Sequence, residues 1–326
     1  MLLVAFIAVA LLFDFLNGFH DSANIVATMI ASGAMGPRLA LVVASLAEFS
    51  GPFLFGVAVA ATIGTEILDP AVISIGILLA ALGSAILWDL ATWYFGIPSS
   101  SSHALIGGIL GAAIAGGHTN DLRLAGMEKV VVALFTSPLL GIAIGWLLMR
   151  VLLFLARGAA PGVNGVFKRA QIITSIGLAV SHGTNDAQKT MGIITASLVI
   201  LGFQREFVVP WWVIGLCAGA ISLGISTGGW RIIRTLGGGM YRIRPIHGFA
   251  AQAASASVIL GAALLGGPVS STQVVSSAIM GVGSAERVSK VRWSVAQNIV
   301  VAWVITIPAS IVLAGLLYLV ISRFVY

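Results

Sequence analysis

The sequence predicts an all-α integral membrane protein in which two related halves, of about five membrane segments each, have opposite orientations. Three observations predict this fold class: the chain is very apolar, two polar motifs each occur twice, and basic residues are concentrated in alternate loops. Hydrophobic residues make up 59% of the 326 residues and charged residues only 9%. Because soluble domains carry about 25% charged residues, this composition indicates a multi-pass membrane protein with little mass outside the bilayer.

The membrane segments follow from the apolar runs, since a helix needs roughly 20 apolar residues to cross a bilayer. The first run is kept as a span rather than a signal peptide, because no basic region precedes it. The fourth segment of each half is short and rich in glycine and serine, so it either spans or re-enters. The candidates are 1–33, 38–61, 71–96, 99–116 and 129–150, then 170–202, 211–229, 246–266, 270–284 and 292–322.

Basic residues predict the orientation, because cytoplasmic loops carry an excess of lysine and arginine. The net charge of +6 is therefore attributed to loops and not to nucleic-acid binding. The basic loops contain Arg38, then Arg150, Arg157, Lys168 and Arg169, then Arg231, Arg234, Arg242 and Arg244, and finally Arg287, Lys290 and Arg292. The opposite set contains only Arg123, Lys129, Arg205 and the tail residue Arg323. Both termini are then extracytoplasmic, and the cell (inner) membrane is the expected location.

An odd number of spans in each half inverts the second half relative to the first. The predicted organisation is a first repeat over 1–157, a cytoplasmic linker over 158–169 that contains Gly158, Pro161 and Gly162, and a second repeat over 170–326.

Two acidic motifs lie inside hydrophobic segments. Residues 17–24 read NGFHDSAN and residues 182–189 read HGTNDAQK, so Asp186 follows Asp21 by 165 residues. We expect breaks in the helices at Gly18 and Gly183, because matching interruptions in two halves mark the central site of a secondary transporter. Each aspartate, with amide and freed carbonyl oxygens, suits a hard cation such as sodium, although it can instead carry a proton or cap a half-helix. The candidate cation ligands are Asp21, Asn24, Asn185 and Asp186.

Other polar residues surround these motifs. Lys189 is the one lysine or arginine in the middle of a span, where it is either a counter-ion for Asp186 or Asp21 or a contact for an anionic substrate. His20 and His182 serve as proton relays or as hydrogen-bonded packing residues. The mid-span acids of the first half are candidates for ion contact or for partners of Lys189 and a nearby histidine. The supporting candidates are Asn17, His20, Glu48, Asp89, His103, His182, Gln188, Gln252 and Gln273.

Two hydroxyl-rich motifs read as helix starts. Residues 98–103 are PSSSSH and residues 268–273 are PVSSTQ, a spacing of 170 residues between Ser100 and Ser270. Proline suits a first turn, serine suits an N-cap, and free backbone N–H groups at a helix start favour an anion. Ordinary capping and serine-mediated helix packing are the alternative. The candidate anion contacts are Ser100, Ser101, Ser102, Ser270, Ser271 and Thr272, together with Lys189.

The two acidic motifs and the two Pro-Ser-Ser repeats resemble the signature of the inorganic phosphate transporter (PiT) family, the bacterial low-affinity phosphate permeases. The run from Ser181 to Gly192 is the most specific part, and the resemblance covers essentially the whole chain in order. It implies phosphate transport coupled to sodium or protons through an inverted-repeat bundle. It places anion contact on the hydroxyl motifs, and a cation-linked role on Asp21 and Asp186 with Asn24 and Asn185 beside them. It also implies a homodimer.

The chain departs from the family at three points. Gln273 stands where histidine is common, Gln252 stands where an acidic residue is common, and the long central loop of larger members is missing. These departures leave the coupling ion open and keep a sulfate or other oxyanion permease as the alternative. Two remote alternatives are an intramembrane hydrolase using Ser100 or Ser102 with His103, and a passive channel. Duplicated motifs favour a transporter over an enzyme, because catalysis needs only one nucleophile. No cofactor is expected besides the coupling ion, and the single Cys217 excludes a cysteine-based metal cluster.

Overall fold

A computed structural model describes residues 1–69, 71–160 and 162–325 of the chain. The described residues form twelve α-helices joined by short turns, and no β-strand occurs among them. The helices are α1 (Leu2–Ala31), α2 (Pro37–Phe55), α3 (Ala58–Ala61), α4 (Ile75–Phe95), α5 (Ser101–Ala115), α6 (Leu124–Leu155), α7 (Val163–Ile200), α8 (Trp211–Thr227), α9 (Trp230–Arg234), α10 (Pro245–Leu264), α11 (Ser271–Glu286) and α12 (Trp293–Val325).

The helices confirm the prediction of an all-helical, multi-pass membrane protein. Six of those described, namely α1, α2, α4, α6, α10 and α12, are long and apolar enough to cross a bilayer. A seventh span results if α8 and the segment Trp230–Gly239, which meet at a 60° bend, count as one. Each of the ten segments expected from the sequence overlaps at least one of the helices.

The expected helix breaks at the acidic motifs are wrong, because α1 and α7 run through them without interruption. The motif glycines instead allow helices to pack closely. A Cβ atom on Gly18 would lie 2.1 Å from the carbonyl oxygen of Ile221 in α8, and one on Gly183 would lie 2.3 Å from the carbonyl oxygen of Glu48 in α2. Only glycine permits such an approach, so these residues bring α1 against α8 and α2 against α7.

The helices that do break are the second ones of each half. Helix α2 ends at Gly56 with φ of 80°, and α8 ends at Gly228 with φ of 74°. These left-handed conformations favour glycine, which has no Cβ to clash. A short helix follows each break, α3 or α9, and continues as a π-helical turn over Thr62–Glu66 or Thr235–Gly239. The two halves therefore share this irregular feature at matching positions.

Packing between helices follows the same correspondence between halves as the sequence motifs. Helix α1 packs on α8 and α2 packs on α7, while α5 packs on α12 and α11 packs on α6. When each helix is replaced by its counterpart in the other half, the contact of α1 with α8 becomes that of α7 with α2. In the same way the contact of α5 with α12 becomes that of α11 with α6. Helix α7 already begins at Val163, so residues 163–169 of the expected linker are helical, and Pro161 lies outside the described residues. The boundaries of the repeats stay a prediction.

Helices α5 and α11 are too short to cross the membrane alone. They contain 15 and 16 residues, or roughly 22 and 24 Å at a rise of about 1.5 Å per residue, against a hydrocarbon core of about 30 Å. Their N-cap residues, Ser100 and Ser270, are each only 1% exposed. Both helices therefore begin inside the protein, where the functional residues meet.

Candidate functional site

The acidic motif of the first half meets the hydroxyl motif of the second half. Thr272 donates its Oγ1 hydrogen to Asp21 Oδ1 at 2.9 Å, and Ser271 Oγ donates to Asp21 Oδ2 at 3.2 Å. Asn24, one turn further along α1, donates from Nδ2 to Thr272 Oγ1 at 3.0 Å. Since α1 is continuous at Asp21, this carboxylate is not the cap of a half-helix; it faces the first turn of α11.

The converse contact is made by Lys189 in the second half. Its ammonium group donates to Ser102 Oγ at 2.5 Å and to the carbonyl oxygen of Val269 at 3.2 Å, and it also pairs with Asp186. Ser102 itself donates to Val269 O at 2.9 Å. Lys189 is fully buried, a position that lysine occupies only when paired. Its role as counter-ion for Asp186 is therefore seen directly, and its contact with an anion stays a prediction.

His182 joins the two acidic motifs at the centre of the molecule. Its Nε2 lies 3.5 Å from Asp21 Oδ2 and 3.2 Å from Asp186 Oδ2, while its Nδ1 lies 2.7 Å from Glu48 Oε1. One ligand atom from each of Asp21, His182 and Asp186 falls within 4.8 Å of the others, and all three residues are buried. Two duplicated carboxylates thus converge on one point. Such a set attracts a cation, because like charges in a low dielectric repel strongly unless neutralised.

The hydroxyl residues divide into caps and side chains that face the acids. Ser100 Oγ accepts from the backbone N–H of His103 at 3.1 Å, and Ser270 Oγ accepts from that of Gln273 at 3.3 Å. These two serines therefore act as ordinary N-caps. Ser101 Oγ instead donates to Asp89 Oδ1 at 3.1 Å. The amides of the first turn in each helix precede the first intrahelical bond, so both helix starts direct N–H groups into the buried centre.

Several of the expected supporting residues belong to this network, with different partners from those expected. His20 Nδ1 lies 3.1 Å from Asp21 Oδ1, and its Nε2 lies 3.4 Å from the hydroxyls of Thr92 and Ser99. Glu48 pairs with His182, and Asp89 accepts from Ser101. The expectation that Glu48 or Asp89 pairs with His103 or Lys189 is therefore wrong.

The side chains of His103 and Gln273 form no hydrogen bond with the buried acids in the described part of the chain. Both line a half-open, largely apolar cavity of about 990 Å³ between α5, α6, α11 and α12. His103 Nδ1 lies 2.7 Å from the Oγ of Ser100, and its ring packs edge-on against Phe135. A catalytic serine needs a general base that a third group orients. In the described part of the chain no group hydrogen-bonds to His103 Nε2, so the pair of Ser100 and His103 lacks that orienting group. Gln273 follows Thr272, which bonds Asp21, but its own side chain forms no hydrogen bond to the acids among the described residues.

Two amide side chains, those of Gln188 and Asn185, hold backbone segments in place. Gln188 Oε1 accepts from the backbone N–H groups of Val59 and Ala60, which caps the short helix α3. Asn185 donates to the carbonyl oxygen of Gly267 at 3.1 Å and accepts from the N–H of Val269 at 3.3 Å, so it positions the approach to α11.

Gln252 links α10 to Thr28 of α1 and Thr174 of α7. Asn17 is buried, and both ends of its amide have no hydrogen-bond partner among the described residues.

Asp14 is the polar residue that the sequence reasoning missed. It is fully buried on α1, and Thr190 of α7 donates to its Oδ1 at 2.8 Å. The spacing of Asp14, Asn17, Asp21 and Asn24 is three, four and three residues, which places all four on one face of a helix. That periodicity was present in the sequence and could have identified Asp14.

The chain is similar to known proteins along most of its length. Residues 17–314 match the model of the phosphate transporter family. A protein of Rhizobium meliloti (strain 1021) named "Probable low-affinity inorganic phosphate transporter" is 44% identical over 319 residues, which cover 97% of this chain and 96% of the relative. A protein of Bacillus subtilis (strain 168) with the same name is 42% identical over 326 residues, 99% of this chain and 98% of the relative.

A solved structure titled "The sodium-dependent phosphate transporter" shares the fold. Its TM-score is 0.89 at 24% sequence identity, and the match covers 100% of both chains. The relatives and the family are transporters and not enzymes, so the hydrolase alternative is set aside. Because the family model matches most of the chain, the chain belongs to the phosphate transporter family.

Proposed function

We propose that this protein imports inorganic phosphate across the cell membrane by symport with a monovalent cation, either sodium or the proton. The observation that carries the proposal is the convergence of the two acidic motifs, through His182, on the first turns of α5 and α11. Each helix start offers N–H groups and hydroxyls to an anion, while Asp21 and Asp186 hold the cations. The names of the relatives support phosphate as the substrate.

Charge balance explains why transport is coupled. Five carboxyl side chains are at most 2% exposed, and Lys189 is the one buried lysine or arginine among the described residues. Those acids are Asp14, Asp21, Glu48, Asp89 and Asp186. Phosphate adds one to two further negative charges near neutral pH. Burying unpaired charge costs several kcal/mol per ion, so the loaded site needs bound cations or protons to remain closed to water.

The hydrogen-bonding groups at the site favour phosphate over sulfate. One oxygen of Asp89 has no hydrogen-bond partner in the described part of the chain, whereas the corresponding oxygen of Asp186 lies 3.2 Å from His182 Nε2. A carboxylate accepts hydrogen bonds but does not donate them. Phosphate still carries a proton near neutral pH and can donate it to such an oxygen, whereas sulfate cannot. The Asp89 oxygen would repel sulfate, so this part of the site favours phosphate over the alternative oxyanion.

The proposed symport includes an orientation in the membrane and an alternating-access mechanism. The basic loops favour an orientation with both termini outside the cell. In that orientation α1 runs inward and α7, its counterpart, runs outward. Two halves of opposite orientation that share one midplane site support alternating access, in which rocking of one half against the other opens the site to each side in turn. The packing of α1 on α8 has a counterpart in the packing of α7 on α2, as expected for two related halves that face each other.

The test is uptake of radiolabelled phosphate by the purified protein in proteoliposomes. A sodium gradient is imposed at fixed pH, and a proton gradient is imposed without sodium. We expect concentrative uptake that collapses when one of these gradients is removed, and weak competition by sulfate. Uptake that only equilibrates phosphate would indicate a channel, and stronger inhibition by sulfate than by unlabelled phosphate would indicate a different oxyanion.

A further inference from the structure

Asp14 is a buried acid that the central site does not use. Its side chain is fully buried on α1, and Thr190 satisfies only Oδ1. The thiol of Cys217 lies close enough to interact with this carboxyl group, but Oδ2 accepts no hydrogen bond of normal geometry among the described residues. No lysine, arginine or histidine there forms an ion pair with it. An ionised aspartate in that position is an uncompensated charge, which is among the most unfavourable arrangements in a protein interior.

Asn17 supplies a second, independent observation. It lies one helical turn after Asp14, on the same face of α1, and it is fully buried. Both its Oδ1 and its Nδ2 have no partner among the described residues. A buried polar group left unpaired is costly because its desolvation is not compensated, so an amide and a carboxylate oxygen left unpaired one turn apart point to a shared ligand.

The position differs from the central site in location and in symmetry. Asp14 precedes Asp21 by seven residues on a continuous helix, which is about 10 Å along the axis. In the second half the corresponding position, 165 residues later, is Ala179. Helix α7 contributes Thr190 to this point, one helical turn after Asp186. An acid at the Asp14 position therefore occurs in the first half alone, whereas Asp21 has its counterpart in Asp186.

We propose that Asp14, Asn17 and Thr190 form an additional binding site for the coupling cation, on the N-terminal side of the central site. Carboxylate, amide and hydroxyl oxygens are hard ligands that suit an alkali cation, and the carboxylate can equally hold a proton. A cation here neutralises Asp14 and lies on the polar face of α1 that continues to Asp21. This inference rests on the proposed symport, and it adds one cation to those bound at Asp21 and Asp186.

The experiment measures the accumulation of phosphate at steady state in proteoliposomes, with the membrane potential clamped at zero. For a tenfold cation gradient, each coupled cation contributes about 1.4 kcal/mol, or about tenfold accumulation. We expect Asp14→Asn to lower the accumulation ratio about tenfold, while Thr195→Val, a buried control on α7, leaves it unchanged. Running the sodium and proton gradients separately identifies the cation, because only one arm responds.

A second variant keeps the test valid if Asp14→Asn does not fold. Thr190→Val removes one ligand oxygen, so it should raise the cation concentration for half-maximal uptake about 10-fold, the size of one lost hydrogen bond to a charged group. The half-saturating phosphate concentration at saturating cation should not change. A wild-type protein that accumulates phosphate with cations, together with unchanged cation dependence in both variants, overturns this inference alone. A wild-type protein without cation dependence overturns the proposed function as well.

Discussion

Replacing Ser101 and Ser271 with alanine tests whether both helix starts hold one anion. In the structure each hydroxyl donates to a buried carboxylate, Ser101 to Asp89 at 3.1 Å and Ser271 to Asp21 at 3.2 Å. Both lie in the first turn of their helices, at most 3% exposed. If they also contact a bound phosphate, each loss removes a hydrogen bond to a charged group, worth about 1.5–3 kcal/mol. That corresponds to a dissociation constant about 10 to 100 times higher.

The double variant tests directly whether both serines contact the same anion, because two groups that bind one small ligand do not act independently. The sum of the single effects should differ from the double effect by about 0.5–3 kcal/mol. Phosphate titration by calorimetry on the purified single and double variants measures this difference, with Ser84→Ala as control. Ser84 is also fully buried, but its hydroxyl bonds only to the backbone of its own helix. A silent Ser271→Ala beside an impaired Ser101→Ala would refute the two-sided site.

Three further predictions follow from the site and from the loops. Asp21→Asn or Asp186→Asn should abolish concentrative phosphate uptake with normal yield; uptake with an unchanged cation dependence would show that these acids are not the cation site. Lys189→Ala should leave Asp186 as an unpaired buried charge and lower the yield of folded protein by gel filtration. Adding Asp186→Asn should restore that yield if Lys189 is only a counter-ion, but not phosphate binding if it also contacts the anion. Cysteine placed at the exposed Ser289 should react with a membrane-impermeant maleimide only after cells are permeabilised, and cysteine at Asn120 should react in intact cells; the reverse pattern would invert the proposed orientation.

The native cysteine does not interfere with the labelling experiment. Cys217 is the one cysteine of the chain and is fully buried, so the folded wild-type protein should show no reaction with the impermeant reagent.

Local chemistry in the sequence was enough to locate most of the candidate site. The duplicated motifs identified Asp21, Asp186 and the serine helix starts, because acids and hydroxyl clusters inside apolar runs are costly and therefore informative. The prediction that the motif glycines break their helices was wrong. The sequence alone does not distinguish a glycine that ends a helix from a glycine that lets a neighbouring backbone approach. Gly18 and Gly183 serve close packing, and Gly56 and Gly228 mark the breaks.

What the sequence by itself determined is the class of protein: apolar runs long enough to span a bilayer, two related halves, and the residue types that can hold an anion and a cation. Only the tertiary structure decided which residues meet. Asp21 contacts Thr272 across 251 positions of sequence, and Lys189 contacts Ser102 across 87. His182 joins Asp21 to Asp186, and Asp14 pairs with Thr190. Hydropathy and local spacing depend on neighbours along the chain, whereas these contacts depend on how glycine-lined helices of different halves pack against one another.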